Sequence, residues 1–419
     1  MIKKLIVPAF LFFTVISFAQ QGTSSPYSYY GIGDVKFKGT AENRAMGGLT
    51  IYSDSIHLNF QNPASYTNLK LTTFSLGGTY LTTDLSTNSQ NEKARRTAMD
   101  YLAVGLPLGK FGVGFGLMPY SSVGYNIESN KAATATEPNQ ISQFSGSGGI
   151  NKVFFGVGYA ITKKWNVGLD YSYNFGKIQT YSSIFIGGLE NGSREKNLSD
   201  ISGGTLTAGI NYTTTINKKV NGFASLTYSP DSKLSSSNSR NIATIRYSSS
   251  GAEILVQPLD VDVANTTLTM PSKLAVGFGL GESKKWMLGT EITFQKTSSM
   301  GNRFNDINNV IYENATRYSL GGFFIPNFNS FSKYYQKIIY RGGLRYENTG
   351  LIINNTSIKD YAVTGGIGLP LIGVFSNINI GLEYGQRGTT SAGLVQENYT
   401  NITIGLSLND KWFQKRRFY

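Results

Sequence analysis

The feature that most constrains this chain is a period of two. Val153, Phe155, Val157, Tyr159 and Ile161 fall on one face of an extended segment. Val167, Leu169, Tyr171, Tyr173 and Phe175 do so in the next, against Asn166, Gly168, Asp170, Ser172 and Asn174. Leu206, Ala208, Ile210 and Tyr212 alternate with Thr207, Gly209, Asn211 and Thr213, and Ile402, Ile404, Leu406 and Leu408 with Thr403, Gly405 and Ser407. Successive side chains of a strand point to opposite faces, so each segment has one apolar face and one polar or glycine face. Strands of about ten residues built this way suit a closed sheet with lipid outside and a polar lumen inside. A soluble β-sandwich also alternates. The strand length, the 26 Tyr and an export-type N-terminus favour the membrane barrel.

Such segments recur near 70–83, 96–108, 111–125, 143–161, 165–181, 201–216, 220–233, 266–281, 285–297, 316–326, 337–348, 357–370, 377–388 and 398–408. The expected fold is therefore all-β, a 14-stranded antiparallel transmembrane barrel over 70–408, with a short periplasmic tail at 409–419. An even strand number puts both ends of the barrel in the periplasm. Short connections such as Gly109-Lys110, Thr162-Lys163-Lys164 and Asn217-Lys218-Lys219 alternate with stretches at 126–142, 182–200, 234–265 and 298–315 that read as long outer loops. Trp165 and Trp286 follow Lys-Lys at strand starts, where an interfacial aromatic belt belongs.

Residues 1–19 read as a signal peptide. Lys3 and Lys4 precede an apolar stretch from Leu5 to Phe18, and Ser17-Phe18-Ala19 offers small residues for cleavage after Ala19. The stretch is too short for a spanning helix, and the rest of the sequence has no apolar run of about 20 residues. The expected location is the cell outer membrane. With no Cys, disulfides, thiol catalysis, cysteine-ligated metal and a lipidated N-terminus are excluded, and one His excludes a multi-histidine metal site. No metal and no cofactor are expected. The net charge of +13 is spread over turn lysines and the tail, without a compact basic patch interleaved with stacking aromatics, so nucleic acid is not an expected partner.

The stretch from Gln20 to Leu69 alternates poorly and precedes the first strand. Fourteen strands enclose more space than wall side chains fill, so this segment is expected to fold back as a lumen plug. It carries Gly31, Gly33, Gly39, Gly47 and Gly48, then Asn62-Pro63-Ala64. Pro63 fixes its own φ and biases Asn62 to an extended conformation, suiting a chain turning from plug to wall. Gly112, Gly114 and Gly116 share the lumen face of the third strand, with Val113, Phe115 and Leu117 outside. Glycine there lets another backbone approach, or relieves crowding in a curved strand.

This arrangement resembles the long-chain fatty-acid transporter barrels, the FadL family of OmpP/TodX-like proteins. The residues that carry the resemblance are Ala45-Met46-Gly47-Gly48-Leu49, Asp54-Ser55 and Asn62-Pro63-Ala64-Ser65, which look like that family's hatch. Asn409-Asp410-Lys411-Trp412-Phe413 resembles Bacteroidota members, which include the type-nine secretion shuttle barrel, PorV. The resemblance implies passive passage of hydrophobic molecules through a lumen pocket and sideways into the bilayer, at an inward kink of the third strand. Pro119, between Met118 and Tyr120, fits such a kink, since proline has no N–H for the ladder. It also fits a strand end at the outer rim, and Pro326 and Pro370 likewise lie at strand ends. The expected lateral gap is Met118, Pro119 and Tyr120. The polar stretch Ser235–Ser250 offers no hydrophobic landing site.

No catalytic residue is expected. His57 falls in the plug beside Asp54 and Ser55 with nothing to position a nucleophile, and Asp170, Glu291 and Glu383 read as partners for arginines and plug backbone. Two functions remain. One is a passage for hydrophobic small molecules, with outer-membrane lipids around it and a hydrophobic ligand or detergent in its lumen. The other is a non-transporting barrel that binds other outer-membrane proteins in a secretion or assembly machine.

Overall fold

The computed structural model describes residues 22–300, 309–330, 332–371 and 375–412. The leader at 1–19 and the end of the tail lie outside these residues. Two short elements and two turns precede the wall: a 3-10 turn at Pro26–Tyr29, β1 (Asp34–Val35), the helical turn Ala41–Arg44 and a 3-10 turn at Pro63–Asn68. The wall starts with β2 (Thr72–Ser86), β3 (Asn91–Leu108), β4 (Phe111–Lys131), β5 (Gln140–Ala160), β6 (Trp165–Ile186) and β7 (Gly192–Thr215). It continues through β8 (Val220–Ser229), β9 (Ser232–Tyr247), β10 (Glu253–Val261), β11 (Thr266–Met270), β12 (Lys273–Glu282) and β13 (Trp286–Gln295). It ends with β14 (Val310–Tyr312), β15 (Ala315–Phe324), β16 (Ile339–Ile353), β17 (Thr356–Pro370), β18 (Asn377–Arg387) and β19 (Gln396–Asp410).

Sequential antiparallel pairing runs around the ring, and β19 closes on β2 from Gln396↔Ser86 to Asp410↔Thr72. Three wall strands are interrupted: β8 and β9 together flank β7, β10, β11 and β12 together flank β9 and β8, and β14 and β15 together flank β16. The result is the closed 14-strand antiparallel barrel that the alternation predicts. Near the short turns the ring closes fully, the arrangement that satisfies backbone groups in lipid.

The alternating faces divide as expected. Phe155, Leu169, Tyr171, Phe278, Leu320 and Ile404 are exposed on the outside, and Asp170, Ser172, Asn174, Glu291 and Thr403 are buried inside. At the short-turn end Phe111 meets Tyr159 and Trp165 meets Tyr212, with ring centroids 4.8 and 4.5 Å apart. Such an aromatic girdle belongs at a lipid interface, and short turns mark the periplasmic side.

The stretches 126–142, 182–200 and 234–265, read as long outer loops, are largely strand. β4 runs on to Lys131 and pairs with β5 from Gln140, β6 runs to Ile186, and β7 begins at Gly192. Ser232–Tyr247, most of the Ser- and Asn-rich stretch, is β9, paired with β7 from Ser202↔Ser235 to Gly192↔Ile245. Beyond the membrane zone an outward face has no need to be apolar, so polar strands pair there without the alternation that reveals them in sequence. The last strand also runs to Asp410, two residues past the expected end at Leu408.

Candidate functional site: the filled lumen and the β3–β4 seam

Residues between Gly22 and Leu69 pack against the inner face of the wall. Ala45-Met46-Gly47-Gly48 turns against β15, β16 and β17. A Cβ on Gly321 would lie 2.3 Å from the Met46 carbonyl, and one on Gly343 2.3 Å from the Gly47 nitrogen. The Gly47 N–H donates to Thr364 Oγ1 at 2.9 Å. Gly47 and Gly48 have φ of 70° and 87°, a left-handed turn that glycine makes without strain. Thr50 donates from its backbone N–H to Glu291 Oε2 at 2.9 Å, so Glu291 holds backbone of this segment.

Asn62-Pro63-Ala64 occupies a second glycine seat, formed by β5, β6 and β7. A Cβ on Gly158 would meet the Pro63 carbonyl at 2.7 Å, one on Gly168 the Ala64 nitrogen at 2.4 Å, and one on Gly209 Asn62 Oδ1 at 2.1 Å. Asn62 caps the 3-10 turn by accepting from the Ala64 N–H at 3.1 Å, and its Nδ2 donates to Asn211 Oδ1 at 2.6 Å. Asn62 and Ala64 are fully buried. Of the three glycines on β4, Gly112 faces the Tyr66 carbonyl (2.0 Å from a built Cβ) and Gly114 the Tyr66 ring (2.8 Å). Gly116 instead abuts β3, at the Leu102 carbonyl and Ala103.

β3 and β4 pair only from Leu108↔Phe111 to Leu102↔Leu117. Beyond Leu117, β4 stays paired with β5 but not with β3, and β1 takes the vacated side through Asp34↔Ser122 and Val35↔Ser121. The Lys36 N–H donates to the Tyr120 carbonyl at 2.9 Å, and Ser121 Oγ to the Ile32 carbonyl at 2.7 Å. The register of β4 against β5 slips between Pro119 and Ser121, leaving Tyr120 as the extra residue of a bulge. Opposite it, Gly148 and Gly149 have φ of 104° and 153°, and a Cβ on Gly149 would lie 2.3 Å from the Ser121 carbonyl. Tyr120 to Tyr125 is buried on both faces.

The three residues singled out on β4 therefore have different surroundings. Met118 is buried in a cluster with Leu58, Phe60, Tyr66, Leu69 and Phe154. Pro119 lines a cavity of about 960 Å³. Tyr120 is buried beneath Lys38, whose Nζ is 3.8 Å from the ring centroid. The cavity also touches Thr97, Ala98 and Met99 of β3, Ser122 of β4, and Phe37 and Lys38.

Ionic groups line much of this space, mostly in closed networks. Arg387 donates to Glu397, Asp34 and Ser25 at 2.8, 2.8 and 2.7 Å. Arg345 donates to Glu383 at 2.9 Å and to the Tyr399 hydroxyl at 2.6 Å, and pairs with Glu347 at 3.2 Å. Burial alone would raise the Asp34 carboxyl, but Arg387 and Lys36 outweigh it and hold its pKa well below the usual range. Of these residues the sequence reading had marked Glu383 as an arginine partner, without revealing which arginine, because each network joins segments distant in sequence.

His57 Nδ1 lies 2.7 Å from Asp54 Oδ2, and its Nε2 is 3.1 Å from Asn379 Nδ2. Asp54 Oδ1 accepts from the Ile56 and His57 N–H groups at 2.9 and 2.8 Å. The amides of Asn377 and Asn379 stand at Nε2, so the pair serves packing between segment and wall. Among the described residues no cluster of His, Asp and Glu suits a metal ion.

A closed 14-strand barrel with an N-terminal segment packed against its inner face gives the chain the fold of the outer-membrane hydrocarbon-channel barrels. The chain belongs to the BamG family, whose model matches residues 1–419. It is similar to the Ralstonia pickettii toluene transporter TbuX (17% identity, TM-score 0.60, covering 89% of this chain and 99% of that one). It is also similar to the Pseudomonas putida toluene transporter TodX (16%, 0.59, 90% and 98%) and a Pseudomonas aeruginosa FadL homologue (11%, 0.55, 90% and 98%). At these identities the likeness is one of fold. No curated protein matches the chain.

Proposed function

We propose that the barrel passes hydrophobic or amphiphilic small molecules by diffusion, with lateral exit between the outer halves of β3 and β4. The observation that carries this reading is the exchange of neighbours at Leu117. There β4 leaves β3 for β1, and the cavity of about 960 Å³ reaches residues of both wall strands. In lipid, an interrupted ladder would leave backbone groups without partners. β1 supplies partners from inside, so the wall can tolerate the interruption. An apolar molecule leaving there avoids carrying its surface back through water. The toluene transporters of the same fold support the reading by analogy. In this reading residues 20–69 are the plug, Asn62-Pro63-Ala64 its anchor, and Pro119 the break.

The chain has no Cys, so a disulfide can be introduced cleanly. Val35→Cys with Ser121→Cys ties β1 to its registered partner. Uptake of labelled toluene or fatty acid by cells carrying this variant is expected to fall several-fold when oxidised and to recover on reduction. Pro119→Val, which restores a ladder donor, is expected to slow the same uptake. Uptake unchanged in both variants would remove lateral exit.

A second reading, a protein-binding subunit of an outer-membrane machine, has its own observation. β10 pairs with β9 alone among the described strands, and its Leu255, Val256 and Leu259 are exposed. A free apolar strand edge is a template for strand addition. Gentle affinity purification from membranes, with lipid and protein mass spectrometry on one sample, separates the readings. A stoichiometric protein lost on charging Leu255 and Leu259 favours the second.

A further inference from the structure

We propose that the lumen contains a binding site for a phosphate-type oxyanion, built by Lys38 from the inner segment with Lys152 of β5, Lys273 of β12 and Arg317 of β15. Lys38, Lys152 and Lys273 line one hollow of about 80 Å³. Lys38, Lys273 and Arg317 line the adjoining cavity of about 960 Å³. The two spaces share Lys38, Gln61, Lys273 and Gln295 in their walls, so the smaller opens onto the larger.

These four cations differ from Arg345, Arg387 and Lys36. Arg345 and Arg387 hold carboxylates at 2.9 and 2.8 Å, and Lys36 holds Asp34 at 3.1 Å. Among the described residues, none of the four has a carboxylate within ion-pair distance. Lys38 Nζ rests on the Tyr120 ring, and Lys152 Nζ lies 5.6 Å from the Phe154 centroid. Arg317 reaches only Thr293 Oγ1, at 3.4 Å, and its buried Nε has no partner. Asp170, which also lines the small hollow, accepts from Ser172 at Oδ1 and leaves Oδ2 without a partner, and Glu291 Oε2 accepts from Thr50, so the hollow sets three lysines against one carboxylate. Burial first, and then Lys273, Lys152 and Arg317, push the Lys38 pKa well below its ordinary value.

Unpaired buried charge is costly, and like charges in one cleft repel unless an anion joins them. Lysines approaching from different sides act as point charges, and with a guanidinium they suit a tetrahedral oxyanion carrying more than one charge. The small hollow has room for one such group. The larger space beside it leaves the source open between free phosphate and the phosphate of a lipid headgroup. The site does not depend on whether the lumen passes cargo.

Full-length protein in neutral detergent is titrated with inorganic phosphate and, separately, with a short-chain phosphatidic acid, following heat release and the phosphorus NMR line. Lys152→Gln with Lys273→Gln is expected to weaken binding about tenfold or more. Lys163→Gln with Lys164→Gln, in an exposed turn, is expected to leave it unchanged. Binding of inorganic phosphate identifies a free anion site, whereas binding of phosphatidic acid alone identifies a headgroup site. Should the lumen double variant fail to fold, Arg317→Gln is titrated instead, with the same loss expected. No binding of either compound to the unmodified protein, or equal binding after the lumen substitutions, overturns the proposal.

Discussion

The two halves of β4 make a contrast within one strand. From Phe111 to Leu117 it has wall neighbours on both sides, and Gly112 and Gly114 accept Tyr66 against its inner face. From Met118 onward it keeps β5, takes β1 in place of β3, and is buried on both faces from Tyr120 to Tyr125. The inner segment thus meets the first half through fixed shape and the second through backbone hydrogen bonds. Shape set by glycines on rigid strands admits little adjustment. A two-residue pairing such as Asp34-Val35 on Ser122-Ser121 can separate locally with few bonds lost. The lower lumen is therefore held by fixed shape, and the outer half of the seam by a few backbone hydrogen bonds, as the proposed lateral exit requires.

The sharpest way to break this contrast is to fill the seat. Gly168→Leu places a side chain where a Cβ alone would already lie 2.4 Å from the Ala64 nitrogen and the Pro63 carbonyl carbon. The loss is expected to be at least about 1–3 kcal/mol, the range for overpacking, because backbone on both sides must move. The check is the temperature at which the folded band disappears in unheated-versus-heated electrophoresis, with limited proteolysis of residues 22–69. A folded band as heat-resistant as the original, with the segment still protected, would show that the seat is adjustable.

The wall was legible in sequence because lipid outside and polar groups inside impose period two on each spanning segment. Leu169, Tyr171 and Tyr173 against Asp170, Ser172 and Asn174 are enough to orient β6. Pro63 and Pro119 were legible as local backbone constraints, whereas the part each plays in the plug and the gap is a proposal. Three things were not. Polar strands such as β9 carry no alternation once outside the lipid zone. The identity of the strand replacing β3 depends on Asp34-Val35, too short to register as a strand in sequence. The lumen ion networks join residues such as Asp34 and Arg387, 353 positions apart, and only the closed ring brings them together.

An intermediate effect is expected at Asn62, where the seat depends on polar pairing as well as shape. Asn62→Ala removes the acceptor for the Ala64 N–H and leaves buried Asn211 without its donor. A buried polar group left unpaired costs about 1–3 kcal/mol. Double-mutant analysis with Asn211→Ala checks the pairing: the two losses are expected to be less than additive. Strict additivity in the folded-band assay would separate Asn62 from the wall and weaken the account of a rigid lower seat.

The smallest expected effect tests whether the seat also has an electrostatic contact on its far side. His57 is buried, which by itself disfavours the imidazolium; Asp54 and Glu42 outweigh that burial and the opposing Arg341, so its pKa is raised above the ordinary 6.5. Burial raises the Asp54 carboxyl, but His57 and the Ile56 and His57 N–H groups together bring its pKa below 3.8. A raised histidine pKa stabilises fully below 6.5, and the gain is lost as pH rises through the folded-state value. A lowered aspartate pKa stabilises above 3.8, and that gain is lost as pH falls through its folded-state value. The ion pair thus contributes most between these limits. Relative to His57→Gln, the unmodified barrel is expected to gain on the order of 1 kcal/mol at mildly acid pH. That advantage is expected to shrink as pH rises, while Gly168→Leu keeps a constant deficit. Melting both variants in detergent across this range checks the sign. A His57→Gln deficit that stays level or grows with pH would mean His57 is held neutral, and the far side of the seat would then rest on packing and neutral hydrogen bonds to Asn377 and Asn379.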